Sequence, residues 1–200
     1  FSGIDRERNR AAIRRSLGID DSTPILLFVS MNFEVKGLDY VMRGLAELKR
    51  RQPPAMPVLY VVGRGNEGRY RRMAEELGIG RHTRFSGVTG REQLDAIYRG
   101  SDFFAMLSRF DTFGMAALDA MAASLPVVLS GNVGAKDLVR DGVNGFVAGD
   151  PADAKAVAER FVRLLDPEIR RRMGQEAFRT AGGQSWDEIA RRQIEIYEGL

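Results

Sequence analysis

An α/β domain built on a doubly wound parallel sheet is the fold this sequence predicts, and three observations predict it. Short apolar, β-rich runs alternate with amphipathic helix-like segments as far as Asp150-Pro151. Those runs are near-continuously apolar, as expected of strands covered on both faces. Beyond Pro151 the pattern changes to helix alone.

Taken in order, residues 25–30 read Ile-Leu-Leu-Phe-Val-Ser, a strand with no polar alternation, and 38–50 carry apolar residues at helical spacing after Lys36-Gly37. A second strand at 58–62 is followed by a helix at 67–77, and a short strand at 84–86 by a helix at 92–99. Residues 103–107 form the fourth strand, 114–123 an apolar helix, 127–129 the fifth strand, 135–140 a short helix and 146–148 the sixth strand. Helices at 152–165, 167–181 and 186–197 follow, punctuated by Asp166-Pro167 and Gly182-Gly183. About six parallel strands with helices on both faces make a Rossmann-like sheet, and the C-terminal helices are expected to pack on the same core. No repeat, low-complexity tract or linker divides the chain, so residues 1–200 are expected to form one domain. In such sheets ligands sit beyond the carboxyl ends of the strands, which makes the strand-to-helix loops the places to search.

Composition narrows the chemistry. At 200 residues and 44% apolar content the chain can bury one good core. Without cysteine there are no disulfides and no thiolate catalysis, and the single histidine, His82, cannot build a zinc site without several helpers. No run approaches the roughly 20 apolar residues of a membrane span, so a soluble or peripheral protein is expected. The formal charge is only +3, and the clusters Arg69/Arg71/Arg72 and Arg170/Arg171/Arg172 lack interleaved aromatics. They read as solvated faces, and nucleic acid is not an expected partner.

The most informative stretch is Asp111-Thr112-Phe113-Gly114-Met115-Ala116-Ala117-Leu118-Asp119, which sets two carboxylates eight positions apart. From Gly114 to Ala123 all other residues are Gly, Ala, Met or Leu, the pattern of a helix buried all round. A carboxylate at Asp119 then needs a polar partner, either a hydroxylated ligand or an internal one such as Arg109 or a backbone amide. Asp111 reads equally as the helix N-cap or as a functional group. Amides of Phe113, Gly114 and Met115 at the helix start would make an anion site. Lys36-Gly37 offers an ammonium and backbone amides to a phosphate, or is a surface lysine before a helix. Gly63-Arg64-Gly65 allows a close backbone approach or simply a turn, and Phe85-Ser86-Gly87-Val88 could offer backbone groups to a planar base. Glycine and Asn in Gly131-Asn132-Val133-Gly134 and Asp141-Gly142-Val143-Asn144-Gly145 are explained by turn geometry alone.

Together these tracts resemble, over essentially the whole chain, the C-terminal donor-binding domain of the retaining GT-B glycosyltransferases of group 1. Ser2-Gly3-Ile4-Asp5 is similar to the family's "NGVD", and Lys36-Gly37 to its "KG". Asp111 to Asp119, Ala120-Met121-Ala122 and Pro126-Val127-Val128 are similar to E-x7-E-A-M-A-x-G-x-P-V-V. Gly134 to Asp137, then Val139, Asp141-Gly142 and Asn144-Gly145-Phe146, resemble GG-x-x-E-x-V-x-DG-x-NG. Phe33-Glu34-Val35-Lys36-Gly37 looks closest to bacterial lipopolysaccharide core glucosyltransferases.

The resemblance implies a nucleotide-sugar donor, UDP-glucose in that subfamily, whose sugar passes with retention to a glycan, lipopolysaccharide or lipid-linked acceptor. The acceptor would be held by an N-terminal Rossmann domain, not expected within these 200 residues, so the isolated domain is expected to be inactive in transfer. It further implies that Lys36 binds the donor phosphates and stabilises the departing diphosphate, with Gly37 beside it. Asp111 would contact the sugar, Asp119 the ribose and Val88 the base, while amides of Phe113, Gly114 and Met115 reach phosphate or sugar oxygens. No cofactor and no metal are expected, since the cation and the helix terminus carry the leaving-group charge. The full-length enzyme would be cytoplasmic, associating peripherally with the cytoplasmic face of the inner membrane. Two departures stand out: both family glutamates are aspartates here, and the phosphate-binding arginine after the first strand is missing, with Ser30 and Met31 in its neighbourhood and Arg64 as a candidate substitute. A noncatalytic nucleotide or nucleotide-sugar binding module is the alternative these departures leave open.

Overall fold

The order of elements follows the alternation of apolar runs and amphipathic segments. A computed structural model of the chain describes residues 3–184 and 186–199. Ser2, the first residue of the Ser2-Gly3-Ile4-Asp5 tract, lies outside the described residues. Strands β1 (Ile25–Ser30), β2 (Val58–Gly63), β3 (Thr83–Gly87), β4 (Phe103–Met106), β5 (Val127–Ser130) and β6 (Gly145–Ala148) form one sheet in the order β3-β2-β1-β4-β5-β6. All its pairings are parallel. Helices α1 (Gly3–Leu17), α2 (Leu38–Arg50), α3 (Glu67–Glu76), α4 (Arg91–Gly100), α5 (Met115–Ala122), α6 (Ala154–Arg163), α7 (Pro167–Gly182) and α8 (Trp186–Glu198) surround it.

Because successive strand side chains point to opposite faces, each apolar strand feeds two cores. Leu26 and Phe28 of β1 pack with Val41 and Leu45 of α2 and Val157 and Phe161 of α6. Ile25 and Leu27 pack with Ile13 of α1, Ile97 of α4, Ala117 and Met121 of α5 and Ala177 of α7. All but Ile13 among these are fully enclosed, and each Leu, Ile or Phe so buried contributes about 1.5–3 kcal/mol. The sheet is thus double-covered, as its uninterrupted apolar strands require.

Helix boundaries have local causes. Asp153 caps α6 by accepting from the amides of Lys155 and Ala156, and Asp166 caps α7 through Glu168 and Ile169, with Pro167 at the first position. Helix α5 closes on its C-cap Ala123, and the next residue, Ser124, is a non-glycine residue at φ 61°.

Three features depart from expectation. Helix α1 carries little periodicity, since only Ile4, Ile13 and Leu17 among its larger side chains are apolar; its anchor is instead the guanidinium of Arg14, which is buried. Residues 134–138 form a 3-10 turn rather than an α-helix over 135–140, because the Gly134 and Ala135 amides are drawn onto the carbonyls of Asp111 and Phe113. Finally, α6 and α7 pack on the core as expected, whereas Ile194, Ile196 and Tyr197 of α8 stay exposed. No helix among the described residues is long and apolar enough to cross a membrane.

Candidate functional site

Strand order reverses at β1, whose neighbours are β2 on one side and β4 on the other. At that switch point the loops diverge and leave room for a ligand. A cleft of about 450 Å³ opens there, lined by the ends of β1 (Val29, Ser30), β2 (Val62, Gly63) and β4 (Met106), together with Met31, Lys36, Val88, Thr89 and residues 111–116.

The loop carrying Lys36 is held from several directions. Asn32 accepts the Val35 amide on its side chain at 3.1 Å and the Lys36 amide on its carbonyl at 3.1 Å. Gly37 sits at φ 72°, where a Cβ would stand 2.0 Å from the Leu107 carbonyl oxygen, so only glycine closes this turn. Arg109 fixes the outside of the loop. It donates to the Glu34 carbonyl at 2.7 Å, binds Asp39 through two nitrogens at 2.9 and 2.7 Å, and lies 4.4 Å from the Tyr40 ring centroid. Its hydrogen bond to Asp39 is the chief reason its pKa rises. Held in this way, the Lys36 ammonium lies 2.7 Å from Asp111 Oδ2.

Asp111 therefore is not the helix cap. That place belongs to Gly114 at φ 95°, with no side-chain cap, and a Cβ there would meet Val133 at 2.7 Å and Met106 at 2.9 Å. Backbone contacts tie this turn to the next loop: Asp111 donates to the Asn132 carbonyl at 3.0 Å, and the Gly134 amide donates to the Asp111 carbonyl at 3.2 Å. The Ala117 amide is taken by the Gly114 carbonyl at 2.8 Å, which leaves the amides of Met115 and Ala116 without intrahelical partners at the positive end of α5. Phe113, Gly114 and Met115 all line the cleft beside Lys36 and Asp111.

Asp119 requires a correction. It is exposed, not sealed among apolar neighbours, and α5 buries only Ala117, Ala120 and Met121. One face of α5 lies on the sheet; the opposite side is open, with Met115 more than half exposed. Arg109 is not its partner. Although the residue is open to solvent, packing around its carboxyl removes hydration and is the main reason its pKa is raised; Asp95 of α4 adds to the rise and Arg91 opposes it. Asp119 is one turn beyond Met115 and does not line the cleft.

Of the remaining predicted residues, Val88 lines the cleft and is exposed. Gly37 supports the Lys36 turn from behind and is not a lining residue. Arg64 directly follows β2, its amide bonded to the Ser30 carbonyl at 2.9 Å; its side chain is exposed and outside the lining. The glycines flanking it have separate causes. Gly63 at φ 116° would place a Cβ 1.8 Å from the Ser30 carbonyl oxygen, and Gly65 packs against the Phe33 ring. The Asp141-to-Gly145 tract is structural: buried Asn144 accepts the Arg140 amide and donates to Leu138 and Thr180, while Asp141 accepts the Val147 amide.

Sequence reasoning missed Thr89, whose Oγ1 is enclosed without a hydrogen-bond partner at the wall of the cleft. Its position after Gly87-Val88 was the available signal. It also missed Arg109 as the residue that fixes the Lys36 loop, and it read Arg170 as solvated, whereas its side chain is largely buried facing Asp102.

Comparison with known proteins bears on the family and the fold. The family described as glycosyl transferases group 1 matches residues 9–180. The D-inositol 3-phosphate glycosyltransferase of Nocardia farcinica is 34% identical over 198 residues, which are 96% of this chain and 44% of that protein. The chain thus spans about half the length of the curated relatives it matches. In fold it is similar to WaaG, a glycosyltransferase involved in lipopolysaccharide biosynthesis (TM-score 0.79, 24% identity, 94% of this chain and 50% of that one). It is likewise similar to Anabaena HepE in complex with UDP and glucose (TM-score 0.75, 22% identity, 100% of this chain and 53% of that one). With the family model matched from residue 9 to residue 180 and a relative 34% identical over 96% of this chain, the chain belongs to the group 1 glycosyltransferase family.

Proposed function

We propose that the chain is the donor-binding part of a retaining GT-B glycosyltransferase that transfers a hexosyl group from a UDP-sugar. The observation that carries this reading is the pairing, in one cleft at the sheet's switch point, of the Lys36 ammonium with the unpartnered amides at the start of α5. A diphosphate needs both a cation and directed N–H donors, and a helix terminus supplies the latter at little reorganisation cost. The base stacks near Val88 and Thr89, the ribose reaches toward Asp119 at the rim, and the diphosphate lies between Lys36 and Met115. Asp111 takes the sugar hydroxyls. As the glycosidic bond breaks, charge develops on the leaving diphosphate, where Lys36 and the α5 amides stabilise it without need of a metal; an acceptor hydroxyl attacks from the same face and passes its proton to the departing phosphate oxygen.

The acceptor lies in the part of the protein beyond this chain, so transfer requires the full-length enzyme and the isolated domain binds donor only. A glycan or lipid-linked acceptor, as in lipopolysaccharide assembly, places that enzyme at the cytoplasmic face of a membrane. The curated relatives are named for inositol 3-phosphate, so Phe33 to Gly37 alone does not choose among acceptors. Noncatalytic nucleotide-sugar binding is the second reading, favoured by the aspartates at 111 and 119 where the family carries glutamates and by Ser30 and Met31 where it carries an arginine. It is separated from the first by assaying the full-length protein for transfer.

Calorimetric titration of the chain with UDP, GDP, UDP-glucose and GDP-mannose tests the donor site. Binding of the uridine pair, weakened by Lys36→Ala and Asp119→Ala, is expected; no binding of any of the four would refute the reading.

A further inference from the structure

Among the described residues lining the cleft, Lys36 is the only cation and Asp111 the only carboxylate, and they are paired at 2.7 Å with both side chains largely shielded. The cleft's single positive side chain is thus already engaged. The two partners differ in freedom. Asp111 has a short side chain on a backbone held at both its N–H and its carbonyl by the 132–134 loop, whereas Lys36 has four methylenes on which its ammonium can move. A diphosphate that draws the ammonium away leaves a shielded carboxylate facing new negative charge, and an uncompensated charge in such a place is costly.

That cost depends on what else arrives. Asp111 also borders a second cavity of about 340 Å³, with Asn132, Lys136 and Asp137 in its wall. A sugar attached to the diphosphate can donate hydroxyl hydrogen bonds to Asp111 at the junction of the two cavities and so replace the ammonium. A bare nucleoside diphosphate has no such donors at that end.

Resting on the donor-site reading above, we infer that Asp111 makes the site favour a nucleotide sugar over the nucleoside diphosphate remaining after transfer, by holding the Lys36 ammonium until sugar hydroxyls take its place. Asp111 is then a specificity-determining residue and Lys36 its competitor-bound partner. The spent nucleotide is expelled because the ion pair re-forms behind it.

The test is a double-mutant cycle read by titration with UDP and with UDP-glucose. Asp111→Asn, close in shape, is expected to bind UDP about tenfold more tightly while UDP-glucose affinity stays level or falls. In a Lys36→Gln background the same change is expected to gain no more than about twofold. Asp111→Glu, which keeps the charge, is expected to retain the preference for the sugar-bearing ligand. Equal gains in the two backgrounds would reduce Asp111 to simple repulsion of phosphate and overturn the inference, as would unchanged or weaker UDP binding by Asp111→Asn. Failure of the wild-type chain to bind either ligand is a different result, since it removes the donor-site reading and the inference with it.

Discussion

Replacing Asp102 by alanine is expected to unfold the N-terminal anchor of the domain. Asp102 directly precedes β4 and is almost fully buried. Its carboxylate accepts from Arg14 at 2.5 Å, from the Ile25 amide at 2.7 Å and from Arg10, and the Arg170 guanidinium stands 3.8 Å away. Arg14 is 1% exposed and also donates to the carbonyls of Gly100 and Thr23, both at 3.0 Å. Burial lowers its pKa, and the charge of Asp102 is the largest opposing influence. Deleting the carboxylate leaves a buried guanidinium uncompensated, at about 3–5 kcal/mol. It also strips the Ile25 amide at the first residue of β1 of its acceptor, worth about 1–3 kcal/mol. The two losses share one group and do not add fully, so roughly 4–6 kcal/mol is expected, a large part of the stability of a typical domain. In thermal unfolding this corresponds to a fall of about 10–20 °C for a chain of this size. Urea titration followed by far-ultraviolet circular dichroism gives the free energy directly, and Asp102→Asn, which keeps an acceptor for Ile25, should fall between wild type and alanine. A loss below about 1 kcal/mol for Asp102→Ala would show that the buried network is not what holds α1 to the sheet.

Three further outcomes are expected. Ser124 occupies φ 61°, so Ser124→Gly should stabilise the domain by about 0.5–1 kcal/mol by removing the left-handed penalty, measured as a higher urea midpoint at unchanged slope. The folded state holds the Asp119 proton to a higher pH than the unfolded chain does. Its contribution therefore favours folding below the unfolded carboxylate range near pH ~4 and is lost as pH rises through the folded value. Asp119→Asn should accordingly raise the melting temperature at neutral pH, with the difference closing toward pH ~4; a difference that widens on acidification would contradict this. Arg64→Ala removes an exposed charge outside the cleft lining, so it should weaken UDP binding by no more than about threefold and flatten its salt dependence. Because Ser30 and Gly63 are register partners, residue 31 is the neighbour of residue 64, and Met31→Arg in the Arg64→Ala protein should restore the loss.

The sheet was legible because a strand buried on both faces has little choice but to be apolar throughout: β1 reads Ile-Leu-Leu-Phe-Val-Ser, and its bounds match the expectation. Helix α2 was legible for the complementary reason, an apolar stripe opposite a charged one. Helix α1 was not, since its stability depends on Arg14 meeting a carboxylate 88 positions away, and no periodicity records such a pairing. Asp119 was misread because composition cannot tell a helix covered on all sides from one that turns small apolar residues toward an open cleft. Ala117, Ala120 and Met121 of α5 fill the core, while Met115 and Ala116 face the cleft. Lys36, Gly37, Asp111 and Gly114 were recognised as a set, yet the direct ion pair between the first and third depends on three loops meeting in space, which only the fold provides.

How those loops meet explains why the tolerance for substitution should differ so sharply from one site residue to the next. Lys36 and Asp111 provide charge, and their side chains can be exchanged without obstructing the backbone. The residues that set the distance between them are different in kind. Gly37 lies against Leu107, Gly134 against Thr112 at 2.2 Å and Gly63 against Ser30, each where a Cβ would strike a carbonyl oxygen, and Arg109 ties the first loop to α2 through Asp39. A side chain added at any of these three glycines must displace backbone, and the displacement passes directly to Lys36, Asp111 or the first amides of α5. Loss of a charged group removes one interaction, whereas loss of a glycine moves the frame in which all of them are measured, so the glycine changes are the ones that should abolish ligand binding and lower stability together.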